Sequence, residues 1–315
     1  MNKKFIDKEV NSDTGEVRYK DPSWSPYFDG QEYLKEQFMY GKMERKEFEE
    51  KFFNFITEFQ SNLRENYNIG FADLGRLLLL ITYTSYRDKE LGRHYLLTDN
   101  NKRMSNKELS KVWKLNTNQA RNVKNMLKRK GVIGEDDEGL YITDDIMIRG
   151  KVFPKEKRTI NYYVVYDKPI RYLYNSLTEY EVRNSSSSVG VFMSLIPYIK
   201  VSTSKKKTGE KGSNNSLVLS EWDNKYGGYK PLNKTSLAKV LGVDYRTLDK
   251  HLGELNTKSK ELTGRYLLYD VKPTGYNELD YTIMVVNPYY TYTQGINSKS
   301  FELLEGWINE ADKRN

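Results

Sequence analysis

Two stretches of this chain carry the same side-chain pattern 128 residues apart, and this repeat constrains the fold more than any other feature. Each stretch has a short segment with one apolar face, a tight turn and a second amphipathic segment, which is the pattern of a helix-turn-helix. A single helix pair is a weak signal, but two in register predict two copies of one unit. The shared offset aligns Leu109 with Leu237, Lys111 with Lys239, Val112 with Val240, Trp113 with Leu241, Leu115 with Val243, Ala120 with Leu248 and Leu127 with Leu255.

Capping residues and hairpin patterns define the limits of each unit. Ser105 and Glu108 form a capping box before the first helix pair, and Asn233 and Asp244 can cap the helices of the second pair. After each pair the chain alternates towards strands around a polar turn. A helix pair followed by a β-hairpin wing is typical of a winged helix. We therefore predict a mainly α fold with β-hairpin wings (α+β), made of two tandem winged helix-turn-helix domains plus an N-terminal helical segment.

The rest of the chain divides by helix-breaking residues and by apolar periodicity. Residues 1–30 predict an extended N-terminal arm or hairpin, and residues 31–67 predict a helical segment with one apolar face. That face either docks on the chain's own core or forms a homodimer interface. The two predicted winged-helix domains span residues 68–175 and 176–296, and residues 297–315 predict a C-terminal helix. The apolar face of the helical segment consists of Phe52, Phe55, Ile56, Phe59 and Leu63.

Each predicted domain contains a buried helix before its helix pair. Residues 71–87 predict the first one, because Leu77 to Ile81 is apolar on every side. The second is predicted from Val189 to Tyr198, after a run of four serines, Ser185 to Ser188.

Basic residues cluster on the first helix pair. The chain has 51 Lys and Arg against 43 Asp and Glu, a net charge of +8. Residues 101–131 alone carry ten basic residues and one acid, Glu108, which gives +9. Residues 230–260 carry seven basic and three acidic residues, which gives +4. Such clustering is the electrostatic pattern of a phosphate-binding surface, stronger in the first unit than in the second.

The second helix of each pair supplies the candidate DNA-binding side chains. Arg pairs bidentately with guanine, and Asn or Gln with adenine, whereas Lys and Arg also bind phosphates. The acidic hairpin tip after the first pair is a poor phosphate contact, so the helix is expected to dominate binding there. The candidate base readers are Asn118, Gln119, Arg121, Asn122 and Asn125 in the first domain and Arg246, Thr247 and Lys250 in the second, with Tyr245 as a further DNA-binding candidate; the candidate phosphate contacts are Lys111, Lys114, Lys124, Lys128, Arg129 and Lys130.

Several classes of protein are excluded by what the sequence lacks. There is no Cys, and the only two His residues, His94 and His251, are far apart, so we predict no metal centre and no cofactor. No Walker A motif and no paired histidines of a nicking nuclease occur, and we predict a non-enzyme. No apolar run is long enough to span a bilayer and no signal peptide is evident, so we expect a cytoplasmic protein without a membrane partner.

The layout resembles that of a known family. Thr14-Gly15-Glu16-Val17 lies in the N-terminal arm, a buried helix precedes each helix pair, and the wings lead into short tails, Ile148-Arg149-Gly150 and Asn287-Pro288. Over residues 71–150 and 189–296 this resembles the winged-helix replication and regulatory proteins of Firmicute plasmids and phages, with a RepL-like layout. That family usually has one winged helix where this chain has two. The resemblance implies a sequence-specific double-stranded DNA-binding protein that acts as a replication initiator or a transcription regulator.

A second class of function stays open at this point. The weaker basic charge of the second unit and the apolar face of residues 31–67 also fit a non-catalytic adaptor that uses winged-helix scaffolds to bind a host protein.

Overall fold

The computed structural model describes residues 8–10, 17–19, 52–56, 68–88, 90–149, 162–176, 182–199, 218–223, 228–263, 266–271, 283–287 and 290–293. The chain forms two compact units, residues 1–47 and residues 48–315, and each is described by itself. In the first unit, β1 (Lys8–Val10) pairs antiparallel with β2 (Val17–Tyr19), with Val10 opposite Val17. This pairing matches the hairpin expected for the N-terminal arm. The second unit is mixed α/β with small antiparallel sheets.

The first half of this unit follows the order helix, strand, helix, helix, hairpin. The run Leu77 to Ile81 of its first helix is fully buried, as the apolar sequence predicts. The strand and the two strands of the hairpin form one antiparallel sheet, with Gly139–Thr143 in the middle. After strand β3 (Phe52–Ile56), the elements are α1 (Phe71–Ile81), β4 (Arg93–Tyr95), α2 (Asn106–Val112), α3 (Thr117–Arg129), β5 (Gly134–Asp136), β6 (Gly139–Thr143) and β7 (Met147–Arg149).

The second half repeats this order with additional elements. A helix follows its first strand directly, and an antiparallel pair of strands precedes the helix pair. The elements are β8 (Tyr162–Tyr166), α4 (Asp167–Asn175), α5 (Val182–Leu195) with a 3₁₀ turn (Ile196–Tyr198), β9 (Ser220–Asp223), β10 (Gly228–Pro231), α6 (Lys234–Val240), α7 (Tyr245–Thr263), β11 (Leu268–Val271), β12 (Ile283–Val286) and β13 (Thr291–Thr293).

The two helix pairs have the same backbone hydrogen bonds. The Trp113 amide donates to the Leu109 carbonyl over 3.0 Å, and the Leu241 amide donates to Leu237 over 2.9 Å. The turns also correspond, because Lys114 and Gly242 both have positive φ, +52° and +61°. A residue in this left-handed conformation ends a helix in the usual C-terminal cap. The offset of 128 residues seen in the sequence therefore holds in the fold of both turns.

A central four-stranded sheet joins the two halves. Its order is β13-β8-β3-β7, so each half contributes one inner and one edge strand. The inner strands pair antiparallel, with Phe53 opposite Val165 and Phe55 opposite Tyr163. The outer pairings mirror each other: Phe53 lies opposite Arg149 in one half, as Tyr163 lies opposite Thr293 in the other. Exchanging the halves leaves this pattern of pairs unchanged, which is the property of a local two-fold axis.

Helices α1 and α5 contact each other in the same reciprocal manner. A Cβ atom on Gly75 would overlap the carbonyl oxygen of Ser186, and one on Gly190 would overlap that of Phe71. The two backbones therefore touch without intervening side chains at this crossing. Gly75 and Gly190 occupy equivalent places in the two halves, so the helix contact shares the two-fold arrangement of the sheet.

A buried ion pair joins β7 of the first half to α4, the helix that follows β8. Arg149 on β7 donates two hydrogen bonds to Asp167 at the start of α4, at 2.7 and 3.1 Å, and one to the carbonyl oxygen of Ile81 at 3.0 Å. Both side chains are buried. Burial raises the pKa of Asp167 to about 6, and the guanidinium of Arg149 offsets this only in part. Loss of either partner would leave an uncompensated polar group in the core.

The structure corrects two expectations about local structure. Phe52 to Ile56 is the strand β3, so the helix predicted across residues 31–67 is wrong there. Phe53 and Ile56 are both buried, and a short run buried on both faces has no period that distinguishes strand from helix. The serines Ser185 to Ser188 lie within α5 and do not precede it. Ser186 and Ser188 are buried, and the backbone of Ser186 lies against Gly75 of α1.

Other expectations concern residues that the structure does not describe. Residues 31–51 and 57–67 of the predicted helical segment, with Phe59 and Leu63, lie outside the described residues, as does the predicted C-terminal helix at 297–315. The helix pairs predicted for the domains 68–175 and 176–296 both lie in the second compact unit, and the boundary between those domains stays a prediction.

Gly75→Ala and Gly190→Ala should each destabilise the protein by about 3 kcal/mol, at the upper end of the usual cost of overpacking, because the new methyl group meets backbone. Gly253→Ala is the matched control. Gly253 also lies in a helix, but a Cβ there meets nothing within 4 Å. It should stabilise the protein by roughly 0.5–1 kcal/mol. Urea denaturation of the three variants measures both effects, and equal midpoints would contradict the close contact.

Candidate nucleic-acid interface

Two successive capping boxes fix the first helix pair. The Ser105 amide donates to Glu108 Oε2 over 2.8 Å at the start of α2. At the start of α3, the Gln119 amide donates to Asn116 Oδ1 over 2.9 Å, and the Asn116 amide donates to Gln119 Oε1 over 3.3 Å. Such a box satisfies backbone donors that the first turn leaves without partners. It also occupies the carboxamide of Gln119, a candidate base reader.

The outer face of α3 carries an exposed polar stripe. Its positions follow at intervals of three, four, seven and eleven residues from the first, which is one helix face about 16 Å long. The opposite face is packed, with Ala120 and Leu127 buried. Among the described residues, neither Arg121 nor Arg129 has an acidic partner within ion-pair distance. The stripe consists of Asn118, Arg121, Asn122, Asn125 and Arg129, all exposed.

Two of the predicted phosphate contacts are paired with an acid of the hairpin instead. Lys128 Nζ lies 2.5 Å from Glu135 Oε2, and Lys124 Nζ lies 3.5 Å from Glu135 Oε1. Lys124 is buried among the inward residues, at the position equivalent to Leu252 in the second half. The hydrogen bond from Lys128 lowers the pKa of Glu135 below its usual value. Lys124 therefore faces the wrong way for a phosphate, and Lys128 reaches one only by giving up Glu135.

The remaining predicted phosphate contacts surround the turn and the end of α3. Lys111 lies exposed in the last turn of α2. Lys114 lies exposed in the turn, where its Nζ donates to the carbonyl oxygen of Asn175 over 3.1 Å. Lys130 is half-buried just beyond α3. Together with Arg129 these groups place positive charge at both ends of the polar stripe.

Two further acids of the β5–β6 hairpin are each paired with an arginine. Arg93 Nη1 lies 2.5 Å from Asp136 Oδ2, and Arg103 Nη2 lies 3.2 Å from Glu138 Oε2. The guanidinium of Arg103 also lies 4.0 Å from the ring centroid of Tyr95. These pairings join residues 35 and 43 positions apart, so no local sequence pattern indicates them. The hairpin is thus less repulsive to phosphate than its acidic sequence indicates.

Helix α7 presents an equivalent but less basic face. Tyr245, Arg246 and Lys250 are exposed, as expected for contact residues. The Thr247 amide donates to Asp244 Oδ1 over 2.9 Å, and its hydroxyl donates to the other carboxylate oxygen, so Thr247 belongs to the cap. Thr247 and Gln119 are equivalent in the two halves. The cap therefore engages the same position of both helices.

No family model, characterised protein or solved structure matches this chain. Across the described residues, no helix combines the length and apolar character needed to cross a membrane. The function is therefore inferred from the chain's own side chains and their arrangement.

Glu135→Gln should tighten binding to a random-sequence duplex about two- to fivefold, because an ion pair of this exposure contributes at most ~1 kcal/mol and its loss frees Lys128 for a phosphate. The slope of log affinity against log salt should steepen by about one. Asp137→Asn removes one charge from the same hairpin at an exposed residue without an ion pair in the described structure, and is the control. Equal gains from both variants would mean that Glu135 acts only through net charge.

Proposed function

We propose that this protein is a sequence-specific double-stranded DNA-binding protein built from two winged-helix units. The observation that carries the proposal is the exposed stripe of Asn and Arg side chains on α3. A helix of about 10–12 Å diameter fits a major groove about 12 Å wide, and the stripe is long enough to follow several base pairs. The order helix, strand, helix, helix, hairpin in each half supports the winged-helix assignment.

The contacts divide by chemistry. Arg121 and the three asparagines of the stripe are the base readers of this proposal. Lys111, Lys114 and Arg129 bind phosphates on either side of the groove, and Lys130 adds charge nearby. On α7 in the second half, Arg246 and Lys250 occupy the positions equivalent to Asn118 and Asn122, with Tyr245 beside them.

The two-fold arrangement defines the form of the DNA site. The reciprocal contact of α1 with α5 and the mirrored pairings of the central sheet support a bipartite site. In this proposal α3 and α7 lie on opposite sides of the same local axis, and a duplex backbone also has two-fold symmetry. One chain then contacts both halves of one site.

Replication initiation and transcription regulation, in a phage or a plasmid, are the two processes compatible with such binding. An initiator supports autonomous replication of DNA that carries the site, whereas a regulator changes transcript levels from a neighbouring promoter. The proposal includes no catalytic step. The alternative, a non-catalytic adaptor that binds a host protein, draws on the weaker basic charge of the second helix pair; of the predicted apolar face, Phe52 to Ile56 forms an inner strand of the central sheet.

Selection from a random duplex pool should enrich a defined sequence. The selected duplex should bind about 10³-fold or more tightly than a random duplex of the same length at the same salt concentration, since base contacts add to the phosphate contacts. Fluorescence anisotropy of the two duplexes measures this. Salt-insensitive binding, or no enrichment, would exclude a sequence-specific DNA-binding protein.

Arg121→Ala should relax base preference at one position by about 1–3 kcal/mol, since a bidentate contact to guanine is lost. Arg129→Ala removes the same charge near the end of α3 and should instead weaken binding to all sequences alike. Affinities for the selected duplex and for single-base variants separate the two effects. If both variants bind like the parent, α3 is not the reading helix.

A further inference from the structure

The exposed stripes of α3 and α7 can be compared position by position. The same offset of 128 residues that aligns the buried sides of the two helices also aligns their outer sides. All ten residues concerned are exposed, so the comparison involves surface side chains only. The equivalent pairs are Asn118 and Arg246, Arg121 and Asp249, Asn122 and Lys250, Asn125 and Gly253, and Arg129 and Thr257.

Helix α3 presents three side-chain amides with unused hydrogen-bonding groups. Within the part of the chain that the structure describes, the carboxamides of Asn118, Asn122 and Asn125 make no hydrogen bond. Gln119 has the same chemistry but its amide oxygen accepts the Asn116 amide in the cap. The three free amides thus differ from Gln119 because no local backbone group engages them.

An exposed carboxamide on a reading helix has one favoured base. Its oxygen accepts from adenine N6 while its nitrogen donates to adenine N7, a pair of bonds that the other bases do not offer. From Asn118 to Asn125 the helix rises about 10 Å, which corresponds to roughly three base-pair steps of 3.4 Å. Three amides over this length can therefore address a short run of adenines, with Arg121 between them at a guanine.

Helix α7 offers none of this chemistry at the equivalent positions. Arg246 and Lys250 are cations, and Gly253 has no side chain. Asp249, where α3 has Arg121, lies 2.9 Å from Lys234 Nζ. Neither cation can make the bidentate pair of bonds between a carboxamide and adenine, whereas both can bind phosphates. The α7 face is therefore suited to backbone contact and the α3 face to base reading.

We infer that the two half-sites are unequal: α3 binds an adenine-rich half-site through Asn118, Asn122 and Asn125, and this half-site defines the sequence, whereas α7 holds the other half through its phosphates. This inference rests on the proposed DNA-binding function. It assigns recognition to side chains that carry no charge, in a region whose basic residues are its most obvious feature.

The first experiment locates the adenines. Selection with the full chain should enrich one half-site rich in adenine and leave the other degenerate. In that half-site, 7-deazaadenine, which lacks the N7 acceptor, should lower affinity about 5- to 150-fold at each position read by an amide. The same replacement in the degenerate half-site should leave the affinity unchanged.

The second experiment assigns the readers. Asn122→Ala should abolish the effect of 7-deazaadenine at one position, and it should lower the affinity for the selected duplex by a larger factor than the affinity for a random duplex. Lys250→Ala, at the equivalent position of α7, is the control. It should weaken binding to every duplex by the same factor and reduce the salt slope by about one.

The outcomes separate this inference from the function on which it rests. Enrichment of two equally defined half-sites, or of a defined half-site without adenines, would overturn the unequal reading but leave a sequence-specific DNA-binding protein. An unchanged affinity for the 7-deazaadenine duplexes would do the same. No enriched sequence at all would overturn both.

Discussion

The backbone contact between Gly75 and Gly190 is the closest constraint on the arrangement of the larger compact unit. With no side chain between them, α1 and α5 approach so closely that a Cβ atom on either glycine would overlap a carbonyl oxygen of the other helix. Each of these helices precedes the helix pair of its own half in the chain. The central sheet has the same reciprocal arrangement, with β3 and β8 paired at its middle. The helix contact and the strand pairing therefore relate the two halves in the same way.

Much of this fold is local in origin and was predictable. The caps at Ser105 and Asn233, the turns and the hairpins depend on residues close in sequence, and the offset of 128 residues is visible without coordinates. The strand β3 was not predictable, because Phe52 to Ile56 is apolar on both faces and its partners, β7 and β8, are about a hundred residues away. The bonds from Arg149 to Asp167 were also hidden, since a buried charge pair has the same sequence signature as two surface residues.

At the candidate interface, basic charge alone did not distinguish inward from outward side chains of α3, whereas their spacing along the helix did. Lys124 counts towards the basic cluster, yet it lies four residues after Ala120 and three before Leu127, both buried. That spacing places it on the inner face, as its equivalent Leu252 also indicates. The phase of α3 likewise selects Asn118, Asn122 and Asn125 as outward. The bond between Lys128 and Glu135 depends on the position of the hairpin, which only the fold provides.

Joining both halves in one chain has a consequence for gene dosage. Two separate subunits part on dilution, and their paired form then falls with the square of the concentration. Within one chain the second half is always present at a high effective concentration, whatever the number of molecules per cell. Occupancy of a bipartite site would then rise in simple proportion to the number of chains. For the proposed DNA-binding protein, binding to both halves of a site would therefore need no association of subunits beforehand.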